Sequence, residues 1–125
     1  MTFEELKEIA QKKVKPRKMS SDCYVASVAS ALITKNGNVY IGVCIDAPSS
    51  MGFCAEHSAI AQMVTNEESK ICKIIAVDEY GKILPPCGRC REFIYQIDKD
   101  NLNTEVMVGE KKVVTIGELL PYQWN

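Results

Sequence analysis

At 125 residues, with 46% hydrophobic and 25% charged side chains, the chain has the make-up of one soluble globular domain spanning residues 1–125, large enough to bury a core and too small for two. A net charge of −1, from 15 Lys and Arg against 16 Asp and Glu, gives no electrostatic footprint for a polyanion and disfavours nucleic acid as a partner. No apolar run approaches the roughly 18 residues of a membrane span, and residues 1–18 alternate acids with lysines where a signal peptide would be apolar, so no membrane association and a cytoplasmic location are expected.

Thr2 and Glu5 form a capping-box pattern ahead of Phe3, Leu6, Ile9, Ala10 and Val14, whose spacing predicts an amphipathic helix over 3–14 that Pro16 stops. The polar stretch 17–22 reads as a loop. The small and apolar run 25–34 and the β-branched run 39–45 flank Asn36-Gly37, which predicts a β-hairpin. Residues 46–52, with Pro48, Ser49, Ser50 and Gly52, form a loop leading to Cys54, and a small-residue helix begins at Ala55. A buried-type strand over 71–77 and a turn precede Pro85-Pro86, after which a helix runs from 88 to 97. Two short strands, 104–108 and 111–114, and a last helix over 116–120, capped by Thr115 and stopped by Pro121, complete the order. Helices interleaved with strands predict an α/β fold with three layers, a sheet between helices.

Six cysteines with no secretory signal argue against a disulfide framework. Cys23 and Cys72 lie in apolar runs and read as small buried hydrophobes. Cys54, two residues ahead of Glu56, and the Pro86-Cys87-x-x-Cys90 run differ in that each opens a helix. A thiolate there is stabilised by free backbone N–H groups and the positive end of the helix dipole. Three thiolates and an acid that need not ligate describe a zinc site with one position open to water, and Glu56 is placed to take a proton from that water. Other readings exist for each part. Cys87-x-x-Cys90 alone fits half a zinc ribbon or a redox pair, but a second Cys-x-x-Cys is absent and the motif follows the third strand, not the first. Glu56 could be a solvated helix acid, and His57, the only histidine, could be a ligand if the three cysteines did not already fill the protein positions.

Cys54-Ala55-Glu56 together with Pro86-Cys87-Gly88-Arg89-Cys90 is the pattern of zinc nucleobase deaminases. With Gly37-x-Val39-Tyr40-x-Gly42-Val43 and the tail Ile116-Gly117-Glu118-Leu119-Leu120-Pro121, the chain resembles the cytidine deaminase superfamily from Tyr24 onward. Among its members it is most similar to blasticidin-S deaminases and small cytidine deaminases. The resemblance implies a three-layer α/β/α sandwich with a central mixed five-stranded sheet and one Zn²⁺ per chain on Cys54, Cys87 and Cys90. It also implies that Glu56 shuttles protons in the hydrolytic deamination of a cytosine nucleoside, that the Ala55 N–H holds the base carbonyl, and that the chain assembles as a homotetramer in which Trp124 closes a neighbour's pocket.

Departures from the family bear on the substrate. Where relatives carry Asn-x-Glu-Asn to hold the ribose, this chain has Cys44-Ile45-Asp46-Ala47; Ala26 stands for a base-stacking Phe, and His57 for an Arg that donates to the zinc thiolates. Ser27 aligns with a substrate-side position of the blasticidin-type enzymes, so Ser27, Cys44 and Asp46 are expected at the substrate. Cytidine, deoxycytidine and a cytosine-containing antibiotic such as blasticidin S are the expected substrates, and the competing function is a catalytically quiet, zinc-folded binding domain.

Overall fold

The longest strand, β2 (Tyr24–Thr34), lies one strand in from an edge of the sheet in the computed structural model, which describes residues 1–125. Before it come helix α1 (Phe3–Gln11), capped by Thr2 and stopping three residues short of the expected end, and a two-residue strand β1 (Arg17–Lys18). After it come β3 (Val39–Asp46), α2 (Ala55–Thr65), β4 (Ile71–Asp78), α3 (Gly88–Ile97), a 3₁₀ turn over Lys99–Asn103, β5 (Glu105–Gly109), β6 (Lys112–Thr115) and α4 (Ile116–Leu119).

One edge of β2 carries β3 and the other carries β4, both antiparallel. The single parallel pairing joins β4 to β5 across the α3 crossover, and β6 closes the far side as a hairpin with β5, so the sheet is mixed as expected. Its five long strands match the five implied by the sequence. The sixth, β1, falls in the stretch read as a loop: Arg17 and Lys18 pair with Val25 and Tyr24 on the β4 side of β2, beyond the point where β4 ends. Two charged residues carry no alternating apolar signal, so only the vacant edge reveals this strand.

Alternation along the strands sorts the core into two clusters. Ala29, Ala31, Ile75, Val77 and Met107 face α1, where Phe3, Leu6 and Ala10 meet them. Leu32, Ile74 and Val106, one residue out of phase, face Ala59, Ile60 and Met63 of α2, Ile94 of α3 and Ile116 of α4. The three layers follow from that phase. Leu32, Ile60, Ile74, Ile94 and Ile116 are at most 1% exposed, and burial of each stabilises the fold by about 1.5–3 kcal/mol. Gly42 lets α2 approach the sheet: a Cβ there would lie 2.3 Å from the backbone nitrogen of Ala59.

Cys72, expected among the buried residues, is exposed. It sits at a register shift, between the pairs Ile33↔Lys73 and Thr34↔Ile71, so the local alternation fails at this residue. Cys23 is half-buried, and none of the six cysteines is disulfide-bonded. No helix is long and apolar enough to cross a membrane.

Candidate active site and metal centre

Two loops of similar construction deliver the cysteines. After β3, residue Phe53 returns to pair with Ile45 through reciprocal hydrogen bonds of 3.0 and 2.9 Å, and the next residue, Cys54, is the N-cap of α2. After β4, Ile83 bridges back to Val77, Leu84 donates to the Ala76 carbonyl at 3.0 Å, and Cys87 is the N-cap of α3. Neither cap side chain bonds its own helix, which leaves both sulfurs free to face each other. Arg91 fastens the second loop from behind, its Nε donating to the Pro86 carbonyl (2.8 Å) and its Nη1 to the Leu119 carbonyl (3.3 Å).

The sulfurs of Cys54, Cys87 and Cys90 all lie within 4.8 Å of one another, and those of Cys54 and Cys87 are 3.5 Å apart. Tetrahedral zinc with Zn–S bonds near 2.3 Å places its sulfurs about 3.8 Å apart, so the three fit one ion. Burial and the neighbouring Cys87 thiol push the Cys54 thiol up to about 11. Burial, followed by the charge of Glu56, pushes the fully buried Cys90 thiol up as well. At Cys87 burial acts the same way, but the Cys90 backbone N–H and the two adjacent thiols outweigh it and hold the pKa below the ordinary thiol value. Cys54 and Cys90 therefore give up their protons only to an incoming cation, while Cys87 ionises more readily than either.

His57 lies behind Cys90. Its Nδ1 is 3.3 Å from the Cys90 sulfur, and its ring stacks on Phe93 with centroids 4.4 Å apart and 7° between planes. Burial, and then the Arg89 guanidinium, lower its pKa and favour the neutral ring. No sequence spacing could have linked His57 to Phe93, since the two sit on different helices.

Cys54 and Cys87 form one wall of a cavity of about 530 Å³, and Cys90 is fully buried next to them. Glu56, 6% exposed, lines it together with Ala55, and burial raises the Glu56 pKa against the opposing pull of its own backbone N–H. Ser27, Cys44 and Asp46, from β2 and β3, line it as a second wall, so the structure brings these expected residues into one cavity with Cys54 and Cys87. Phe53, Leu84 and Arg89 also line it, though spacing and composition gave no reason to single them out. Trp124 is 81% exposed and lies outside the lining of its own chain's cavity.

Residues 3–106 match the family model described as "Cytidine and deoxycytidylate deaminase zinc-binding region". The chain is 32% identical to a blasticidin-S deaminase of Bacillus cereus over 78% of this chain and 76% of that protein, and 28% identical to a cytidine deaminase of Halalkalibacterium halodurans over 75% and 74%. The crystal structure of cytidine deaminase from Mycobacterium leprae superposes with a TM-score of 0.81 at 26% identity, covering 98% of this chain and 99% of that one. With its three-cysteine centre, the chain belongs to the cytidine and deoxycytidylate deaminase family and is a zinc-dependent deaminase of the cytidine deaminase type.

Proposed function

We propose that the protein hydrolyses the 4-amino group of a cytosine nucleoside, cytidine or deoxycytidine, to give the uracil nucleoside and ammonia. The observation that carries this reading is a buried carboxylate, Glu56, lining the same cavity as Cys54 and Cys87, two of the three sulfurs gathered within 4.8 Å of one another for one metal ion. When bound to Cys54, Cys87 and Cys90, zinc supplies a Lewis acid that eases ionisation of water. Glu56, its pKa raised by burial, takes a proton from the attacking water and passes it to N3 of the ring. Carbon 4 gains the oxygen, and Glu56 carries the second water proton to the departing amine, which leaves as ammonia. The Ala55 N–H, in the first turn of α2 where helix N–H groups lack intrahelical partners, holds the base carbonyl. The neutral His57 donates its Nδ1–H to the Cys90 thiolate and spreads the negative charge of three sulfurs.

Asp46 is exposed at the cavity, where its carboxylate can accept from sugar hydroxyls. A second reading, a cytosine-containing antibiotic such as blasticidin S, is favoured by the 32% identity to a protein of that name. Ultraviolet assay of the zinc-loaded protein against cytidine, deoxycytidine and blasticidin S decides between them. Turnover of the nucleosides at the higher kcat/KM supports the first reading, turnover of the antibiotic alone the second, and turnover of none defeats both.

A homotetramer belongs to the same proposal. Ile60 is committed to the chain's own core, but Ala61 and Val64 of α2 remain exposed, as do Tyr122 and Trp124 in the tail. These surfaces suit burial against copies of the chain, with Trp124 at a neighbour's cavity. Light scattering that gives a monomer at micromolar concentration overturns it.

A further inference from the structure

Between the pairs Val25↔Ile45 and Ala29↔Val43, three residues of β2 stand opposite one residue of β3. The three are Ala26, Ser27 and Val28, and the one is Cys44. Ala26 takes φ of 66°, a left-handed conformation that costs a residue with a Cβ about 1–3 kcal/mol unless its surroundings hold it. Two contacts hold this bulge: the Ala26 carbonyl accepts from Lys15 N–H at 3.0 Å, and the Val28 N–H donates to the Cys44 sulfur at 3.3 Å. The sulfur therefore takes the place of a ladder carbonyl. Its other polar neighbour is Ser27 Oγ, also at 3.3 Å.

We infer that Cys44 is a positioning residue for substrate binding, aiming the Ser27 hydroxyl into the cavity as a hydrogen-bond donor. Either atom can donate across the Ser27–Cys44 contact, and the proposed direction runs from sulfur to oxygen. Cys44 is 7% exposed, and its sulfur already accepts from Val28, so its S–H has Ser27 Oγ as its only acceptor among these partners. With Oγ accepting from sulfur, the Ser27 O–H is left to point into the cavity that the residue lines. An acceptor on the substrate, a hydroxyl or carbonyl oxygen, completes the chain from Val28 N–H through sulfur and Oγ. Cys44 thus acts on the substrate through Ser27 and through the shape of the bulge, without touching the substrate. This assignment rests on the proposed nucleoside substrate.

The test compares Ser27→Ala, Cys44→Ala and Cys44→Ser in the zinc-loaded protein, reading KM and kcat for cytidine and the Kd of the product uridine by titration calorimetry. Loss of one hydrogen bond predicts a rise of about 2- to 10-fold in KM and Kd for Ser27→Ala and for Cys44→Ala, with a much smaller change in kcat. In Cys44→Ser the hydroxyl can both accept from Val28 and donate to Ser27, so KM and Kd return toward wild type. A purely structural Cys44 would lower Tm in Cys44→Ala and leave both constants unmoved, which overturns the inference. Wild-type values in Ser27→Ala, a half-buried position that does not threaten folding, overturn it independently. If the wild-type protein neither turns over cytidine nor binds uridine, the proposed substrate fails and the donor role of Ser27 fails with it.

Discussion

The two walls of the cavity are held by different means. On the metal wall, each ligand loop is tied to its own strand by a bridge and ends in a helix cap, so Cys54 and Cys87 are placed by structure within a few residues of themselves. On the second wall, Ser27 is placed by a bulge whose hydrogen bonds come from Cys44 and Lys15, residues that local sequence does not connect. The first arrangement fixes atoms that must meet an ion to within tenths of an ångström. The second sets the depth and polarity of the surface where the proposed substrate would lie.

Changes on the metal wall are therefore expected to act on metal content and kcat. The largest effect is expected from Cys87→Ala, which should reduce zinc to background by elemental analysis, abolish deamination and lower Tm, because metal binding to the folded state alone stabilises it. Chelation of wild-type protein should reproduce the fall in Tm, and a chelated protein that melts like the holoenzyme would show that the metal adds nothing to the fold. Glu56→Gln comes next: zinc content stays at one per chain while kcat falls by about 10²- to 10⁴-fold. Wild-type turnover in this variant would remove Glu56 from the chemistry.

His57→Leu tests whether the wall reaches beyond its ligands. Zinc affinity by chelator competition should weaken by about 10- to 100-fold, whereas KM for cytidine should move far less. Unchanged zinc affinity would reduce His57 to packing against Phe93. Arg91 directs its Nε and Nη1 to the Pro86 and Leu119 carbonyls instead of to a sulfur.

The smallest effect is expected far from either wall. Glu68 accepts from the Tyr40 hydroxyl at 2.7 Å and from the Asn36 and Asn38 amides, and these bonds, the Tyr40 bond foremost, hold its pKa below the ordinary 4.5. A depressed carboxylate contributes stability that is present above its unfolded pKa and lost as pH falls through its folded one. Glu68→Gln should therefore lower Tm slightly at neutral pH and converge with wild type as the pH falls through the lowered Glu68 pKa, with zinc content and KM untouched. A constant difference across that range would mean that the carboxylate charge is not what ties the α2–β4 loop to the β2–β3 hairpin.

The contrast between the walls also accounts for what could be read before the structure. Cys54, Glu56, Cys87 and Cys90 were legible because their spacing within helix starts carries the chemistry directly. The order of the elements was legible because the strands alternate and the helices have caps. The bulge at Ala26 was not, since an alanine shows no preference for positive φ and the register that creates it is set by Val25↔Ile45 and Ala29↔Val43 together. Cys44, expected at the substrate, lines the cavity, and its sulfur contacts to Ser27 and Val28 were hidden for the same reason. Cys72 and β1 escaped because a register shift and a vacant strand edge are properties of pairing, not of either strand alone.

The paired bridges, Ile45 with Phe53 and Val77 with Ile83, have a consequence for metal exchange. Ordering a free backbone costs about 1–2 kcal/mol per residue, a cost that small zinc-folded domains meet only when the ion arrives. Here the formation of the sheet closes both loops, so that entropy is lost before any ion enters. An ion reaching the folded chain meets donors already gathered, and its affinity is limited by displacing thiol protons and its own hydration instead of by recruiting chain. Loading and unloading can then proceed as local events at the cavity, with the rest of the sheet intact.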